Sequence, residues 1–436
     1  MMKKIIGIVI AGMMMSGIAN AVDNRVDGQR PDAPALAKPG DYGIGVQTLD
    51  LVNKGQIDIL NVEAGKPIPK YDRPLTVEVW YPADGDENGG TYENVFLRDG
   101  KTQVSLYGLA VRGEDPLKSA EPYPLVIISH GYPGNRFLMS HFGENLASKG
   151  YVVASIDHTD STYDNKAAFG STLVNRALDQ KFVLNEMTRL NSDKSSFLNG
   201  MIDTSNTGLI GYSMGGYGAV ITAGGGVTKA STEYPWGAPA GTLEVMMAGT
   251  DSHEALIDDR FKAVVAIGPW GMNAGFWNAE GLAGVRKPIM FIAGSEDETS
   301  KYENGVKALY DGSVNADRYL LSFMSAGHNA AAPIPAPKES WAPVDNLDFF
   351  PFEHYADPVW DTLRMNNIAQ HFVTAYFNQH LKGDDDMKSY LDIVEVAEDG
   401  VYAVEKDGSQ KPEHTYWKGF QKGSAKGLKL EHSTPK

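Results

Sequence analysis

Several stretches of the chain are apolar at nearly every position and bounded by turn residues: 124–129, 151–157, the run that opens at Thr207, 262–268, 288–294 and 318–323. Runs this short and unalternating predict strands buried on both faces. Between them, 138–149 and 172–190 set apolar residues at helical spacing, and 358–381 predicts a last long helix. Strand and helix in turn, with all-apolar strands, predict an α/β fold: a mostly parallel, open central sheet with helices on both faces and a site at the carboxyl ends of the strands. Ahead of this series, 46–52, 57–60 and 75–80 alternate or cluster apolar residues as antiparallel opening strands do.

The pattern also divides the chain. Residues 1–21 join Lys3 and Lys4 to an apolar run over 5–15 and a small-residue site, Ala19-Asn20-Ala21, the layout of a cleavable bacterial signal peptide. Residues 22–45 are a Pro- and Ala-rich arm without periodicity, expected on the surface or disordered. A catalytic domain follows over 46–383, interrupted by an insertion at 224–260 that reads equally as a wall of the site or as decoration. The extension 384–436 is expected to form a hairpin around Glu398-Asp399-Gly400 and to pack through Tyr416, Trp417 and Phe420, being too small for its own core. After the leader no run approaches ~18 uninterrupted apolar residues, so stable membrane insertion is not expected.

Composition narrows the chemistry. The absence of cysteine rules out disulfides, thiolate metal sites and a cysteine nucleophile. The net charge of −16 argues against nucleic acid as a partner. The acidic turn at 84–90 has no EF-hand spacing and reads as a solvated loop.

Chemistry enters at Gly211-Tyr212-Ser213-Met214-Gly215, which lies between an apolar strand and a small-residue helix. A serine at a strand-to-helix turn this tight needs glycine on either side and stands exposed at the sheet edge. Its hydroxyl needs a base, and the base a partner that fixes its tautomer. The strand at 288–293 runs into Gly294-Ser295-Glu296-Asp297-Glu298, where Asp297 is the chosen acid and Glu296 and Glu298 compete with it. The strand at 318–323 leads to Ala326-Gly327-His328-Asn329, so Ser213, Asp297 and His328 follow three strand ends in order. His354, His371 and His380, in or near the last helix, read as structural. The backbone N–H groups of Met214, at a helix start, and of Tyr132, in the loop His130-Gly131-Tyr132-Pro133-Gly134, are the expected oxyanion donors.

The run 129–161 (SHGYPGNRFLMSHFGENLASKGYVVASIDHTDS), the elbow GYSMGG, IGPW at 267–270, the acid turn and AGHNA resemble the α/β-hydrolase superfamily. Within it they are similar to platelet-activating-factor acetylhydrolases and "predicted dienelactone hydrolase" relatives, and to cutinase-like polyester hydrolases. The resemblance spans about 76–381 and takes in the tail around Trp417 to Phe420. It implies Ser213 as nucleophile, Asp297 as acid, His328 as base, Met214 and Tyr132 as oxyanion donors, and Tyr132 with Trp270 as aromatic walls; the same two rings also fit plain packing. The expectation is a secreted, periplasmic or extracellular serine esterase that needs no cofactor or metal and acts on a small or polymeric ester, its oligomeric state left open. Narrower readings are a phospholipase A2-like acetylhydrolase or a polyester hydrolase. A reading from another class is a binding protein that kept the fold without the chemistry.

Overall fold

A computed structural model describes residues 23–85 and 89–436. The expected signal peptide at 1–21 lies outside the described residues, as does the centre of the acidic turn at 84–90. In chain order the strands are β1 (Gly43–Ile57), β2 (Lys70–Ala83), β3 (Thr91–Phe96), β4 (Gln103–Tyr107), β5 (Val111–Arg112), β6 (Tyr123–Ser129), β7 (Val152–Asp157), β8 (Ile202–Tyr212), β9 (Phe261–Ile267), β10 (Ile289–Gly294), β11 (Arg318–Phe323) and β12 (Leu428–Ser433). Ten of them form one sheet in the order β12-β11-β10-β9-β8-β6-β7-β2-β1-β5, and β3 pairs with β4 as a separate hairpin that the apolar pattern did not reveal.

From β7 to β11 all neighbours are parallel, while β1 and β2 pair antiparallel at one end. Alternate residues of each parallel strand enter opposite cores. Val126, Ile128, Ile210, Val265 and Ile292 face one side with Phe142 of helix Ser140–Ala147 and Phe372 of helix Thr362–Lys382. Leu125, Ile127, Leu209, Val264 and Phe291 face the other, with Val174 of helix Phe169–Ser192 and Val220 of helix Met214–Thr222. Each such side chain contributes ~1.5–3 kcal/mol by leaving water, which is why the parallel strands carry no polar face.

The strand order reverses at β6, which has β7 on one side and β8 on the other. Chain leaving β6 and β8 therefore parts in opposite directions and opens a crevice above their carboxyl ends. The loop 130–134 and Ser213 both begin at this crevice.

Of the two expectations for the arm, a surface course is the one that the structure has, and the extension packs through Tyr416, Trp417 and Phe420, but its predicted hairpin does not form. The arm is tied down: the Leu36 N–H donates to His371 Nδ1 (3.1 Å) and the Arg30 N–H to Asn367 Oδ1 (3.0 Å), and Val26 and Ala37 are buried. At the other end 390–404 forms no hairpin; Ala397–Asp399 is a 3-10 turn, and the pairing partner is instead β12, antiparallel to β11 from Arg318↔Ser433 to Phe323↔Leu428. A parallel edge strand offers a row of unpaired backbone groups, and β12 satisfies them.

Buried histidines make the fold acid-sensitive. Burial holds His141, His158, His354 and His371 near a pKa of about 3. Each is neutral in the native protein and takes up a proton on unfolding below its ordinary 6.5. Their contribution is complete above that value and is lost as pH falls toward 3. Glu144, raised by burial to about 7 from 4.5, opposes them, since its contribution is present at low pH and lost as pH rises. Burial holds His130 well below its ordinary value too, so roughly four net protons at ~1.4 kcal/mol per pH unit each predict a marked drop in the urea midpoint between pH 7 and pH 5. An equal or higher midpoint at pH 5 would contradict this account.

Candidate active site

β8 is apolar to its end and then turns within one residue. Ser213 carries that turn at φ 52°, ψ −110°, a conformation that L-residues avoid and that holds its side chain clear of the helix beginning at Met214. A Cβ at Gly211 would lie 2.3 Å from the Gly215 carbonyl oxygen, and one at Gly215 would lie 1.9 Å from that of Ser129. The flanking glycines are therefore required by contact, while the positive φ of the turn falls on Ser213 itself.

Asp297 and His328 follow β10 and β11, and the structure brings both to Ser213. His328 Nε2 lies 3.0 Å from Ser213 Oγ, and His328 Nδ1 lies 2.8 Å from Asp297 Oδ2. The other Asp297 oxygen accepts the Thr299 and Ser300 N–H groups, each at 2.8 Å. Burial would raise the Asp297 carboxyl, but the hydrogen bond and charge of His328 and these two N–H groups outweigh it and keep it below its usual value. Glu296 and Glu298 are exposed and make no such contact. The His328 loop is braced by Asn329, which accepts from the Tyr212 hydroxyl (3.0 Å) and donates to the Glu353 and Ala356 carbonyls, and by Asp357, which accepts the Gly327 N–H (2.6 Å).

The loop after β6 passes directly over the serine: a Cβ at Gly131 would sit 3.3 Å from Ser213 Cβ. Arg176 Nη2 donates to the Gly131 carbonyl at 2.7 Å, and His130 Nδ1 lies 2.7 Å from the same oxygen. In a trans peptide the N–H points opposite to the C=O. Pinning the Gly131 oxygen on its buried side thus aims the Tyr132 N–H away from Arg176. Among the described residues neither the Tyr132 nor the Met214 N–H has a protein acceptor.

A second Ser–His–Asp chain lies beneath. Ser129 Oγ is 2.8 Å from His158 Nε2, and His158 Nδ1 is 2.9 Å from Asp179 Oδ2, which also accepts from Arg73. Ser129 is wholly buried and receives a bond from Gln180, so this set braces the floor of the crevice and offers no nucleophile.

Ser213, His328 and Tyr132 open on a cavity of about 830 Å³ that Arg98, Phe349, Glu353 and Val359 also line. Trp270 is not part of that lining. Its backbone N–H donates to the Ser213 carbonyl (3.2 Å), and its ring joins Phe169 (5.3 Å between centroids), which in turn meets Tyr132 (5.5 Å). The insertion adds Trp236, 55% exposed and 6.4 Å from the Trp270 ring. Arg176 and Arg98 went unrecognised in the sequence. Arg176 had one local signal, a cation three residues after Leu173 on a face that is otherwise buried; Arg98 had none. No group of metal-ligating side chains occurs among the described residues, nor does any helix long and apolar enough to cross a membrane.

Residues 114–249 match the family model described as PETase, PET hydrolase-like; the match takes in Tyr132 and Ser213 but stops short of Asp297 and His328. The chain is 32% identical over 129 residues to the platelet-activating factor acetylhydrolase of Cavia porcellus, an alignment covering 28% of each chain. It is 27% identical over 189 residues to cutinase 2 of Thermobifida cellulosilytica, covering 43% of this chain and 53% of the cutinase. The chain thus matches only about half, or less, of the length of these relatives. A ferulic acid esterase from Streptomyces cinnamoneus superposes with a TM-score of 0.52 at 22% identity, over 83% of this chain and 94% of the esterase.

Proposed function

We propose that this chain, which has the α/β-hydrolase fold and is similar to platelet-activating factor acetylhydrolases and cutinases, is a serine hydrolase that cleaves carboxylic esters through Ser213, His328 and Asp297. The observation that carries the reading is the relay from Ser213 Oγ through His328 to Asp297, at 3.0 and 2.8 Å, at the mouth of a cavity able to hold an ester. His328 Nε2 takes the Ser213 proton as Oγ attacks the ester carbonyl carbon. The oxygen that becomes negative accepts from the Tyr132 and Met214 N–H groups. His328 then passes its proton to the departing alkoxide, leaving an acyl-serine. Water, deprotonated by the same nitrogen, repeats the attack and frees the acid and Ser213. Asp297 keeps the histidine proton on Nδ1, so that Nε2 is the basic atom.

Tyr132 lines the cavity with Ser213, and behind it Phe169 links its ring to Trp270 and Trp236, which back the wall without lining it. Export of the mature chain from residue 22 belongs to this reading, and Val22 is the expected N-terminus of the protein recovered outside the cytoplasm. The direct test is a fluorophosphonate probe with tryptic mapping: one adduct per chain on Ser213, with parallel loss of activity on a nitrophenyl ester. Full activity after complete labelling elsewhere would reject the assignment, and absence of both labelling and turnover would favour a non-catalytic binding protein. A panel of short acyl esters, acetylated phospholipid and amorphous aromatic polyester separates the narrower readings.

Arg176 is a positioning residue in this scheme. Each oxyanion donor is typically worth ~3–4 kcal/mol, and loss of the Gly131 anchor misdirects one of them. Arg176→Met is expected to lower kcat ~10- to 100-fold with KM changed by less than about threefold, and Arg176→Lys to recover part of the loss. A change confined to KM would place Arg176 outside transition-state stabilisation.

A further inference from the structure

We propose that Arg98 is an anion-recognition group of the Ser213 cavity, and that the preferred esters carry an oxyacid anion, carboxylate or phosphodiester, in addition to the bond that is cut. This rests on the ester-hydrolase reading of Ser213.

Arg98 sits in the turn between β3 and β4, where its backbone has little freedom. Its neighbours Leu97 and Asp99 are buried, Asp99 accepts the Thr102 N–H, and the Asp99 carbonyl accepts from Asn346 (2.8 Å). That anchorage puts the guanidinium on the cavity wall, in one lining with Ser213, Tyr132 and His328. There it lies over the Phe349 ring, 5.3 Å from its centroid. A ring contact of this kind steadies the cation while leaving the Nε and Nη2 N–H groups free.

The guanidinium has no polar partner. Among the described residues it forms no ion pair and no hydrogen bond, and its Nη1 is shut off from solvent without an acceptor. Arg73 and Arg318 behave differently: Arg73 pairs with Asp160 and Asp179, and Arg318 donates to the Tyr310, Ala316 and Thr434 carbonyls, whereas Arg176, beneath the 130–134 loop, holds only the Gly131 carbonyl and leaves Nε and Nη1 unpaired. An unpaired guanidinium half withdrawn from water is under-solvated, and an anion bound at its accessible Nε and Nη2 supplies the missing partner. The planar fork matches carboxylate and phosphate oxygens in pairs.

Three carboxylates also line the cavity, yet none offsets Arg98. Glu296, Glu298 and Glu353 are exposed and therefore solvated and screened, and Glu353 already accepts the Phe350 N–H (3.0 Å). With a net charge of −16 the chain has no general attraction for anions, so recognition has to be local.

The test compares kcat/KM for two matched pairs: the monomethyl and dimethyl esters of an aromatic dicarboxylic acid, and an acetylated glycerophospholipid against the acetylated diacylglycerol. Wild type is expected to favour the charged member of at least one pair. In Arg98→Met the charged-to-neutral ratio should fall at least tenfold, with Arg98→Lys in between, and the pair affected identifies the anion as carboxylate or phosphate. An unchanged ratio in both pairs overturns the proposal. Should Arg98→Met fail to fold, inhibition of wild type decides: benzoate or phenyl phosphate must compete at least tenfold better than benzamide, and equal inhibition overturns it. Ser213→Ala separates the two levels. If it hydrolyses these esters as fast as wild type, the Ser213 reading itself falls; if it is inactive while the ratios ignore Arg98, only the Arg98 assignment falls.

Discussion

Ser213→Ala is expected to lower kcat toward 4-nitrophenyl butyrate by about a millionfold, the usual cost of removing the nucleophile from a working triad. The substitution deletes one oxygen and little else. Ser213 Oγ does not cap the helix that follows, and among the described residues its hydrogen-bond partner is His328 Nε2, at 3.0 Å. The strained φ of 52° belongs to the turn and is no worse for alanine than for serine. The variant should therefore melt within a few degrees of wild type and bind substrate-like inhibitors normally, so lost turnover reports chemistry. Turnover within tenfold of wild type would end the case for Ser213, and an unfolded variant would be visible in the melt.

Asp297→Asn should cost about ten-thousandfold in kcat, through a wrong tautomer, with KM nearly constant. The direction of the amide is set by the backbone. Thr299 and Ser300 both aim N–H groups at Oδ1, so the amide oxygen must stay there and the NH2 must take the Oδ2 position, 2.8 Å from His328 Nδ1. A donor now faces Nδ1, which responds as the acceptor. The ring proton moves to Nε2, and Nε2 can no longer take the proton of Ser213. Asp297→Ala lacks that enforced tautomer and is expected to retain more activity than Asp297→Asn. The reverse order would show that Asp297 acts mainly by its charge.

The short apolar runs were legible because a strand buried on both faces has no polar positions to spare. β11 matches its run residue for residue, β6, β7, β9 and β10 fall within a residue of theirs, and β8 starts several residues earlier, at Ile202. Of the opening runs, 46–52 and 75–80 lie inside the longer β1 and β2, while 57–60 forms no strand of its own and Ile59–Asn61 is a 3-10 turn. The elbow was legible for a different reason: at Gly211 and Gly215 any side chain would strike backbone, so the turn writes itself into the local sequence. The order of Ser213, Asp297 and His328 follows from strands laid down in sequence with their loops at one edge.

What lay beyond the sequence depends on partners far apart in it. The hairpin of β3 and β4 is short and half polar, so its periodicity is weak, and Arg98 acquires meaning only because that hairpin and Phe349 close on one cavity. Ser129, His158 and Asp179 have the chemistry of a triad and the wrong access to solvent, a distinction that burial makes and residue identity does not. The edge strand β12 pairs with β11 across more than a hundred residues, while the nearer Glu398-Asp399-Gly400 turn, the stronger local signal, forms no hairpin. Local steric and hydrophobic demands are written in neighbouring residues, so sequence alone determined the parallel strands of the sheet, the elbow and the order of the site. Access, long-range pairing and the company kept by a buried charge exist only after the chain has closed on itself, and the tertiary structure decided those.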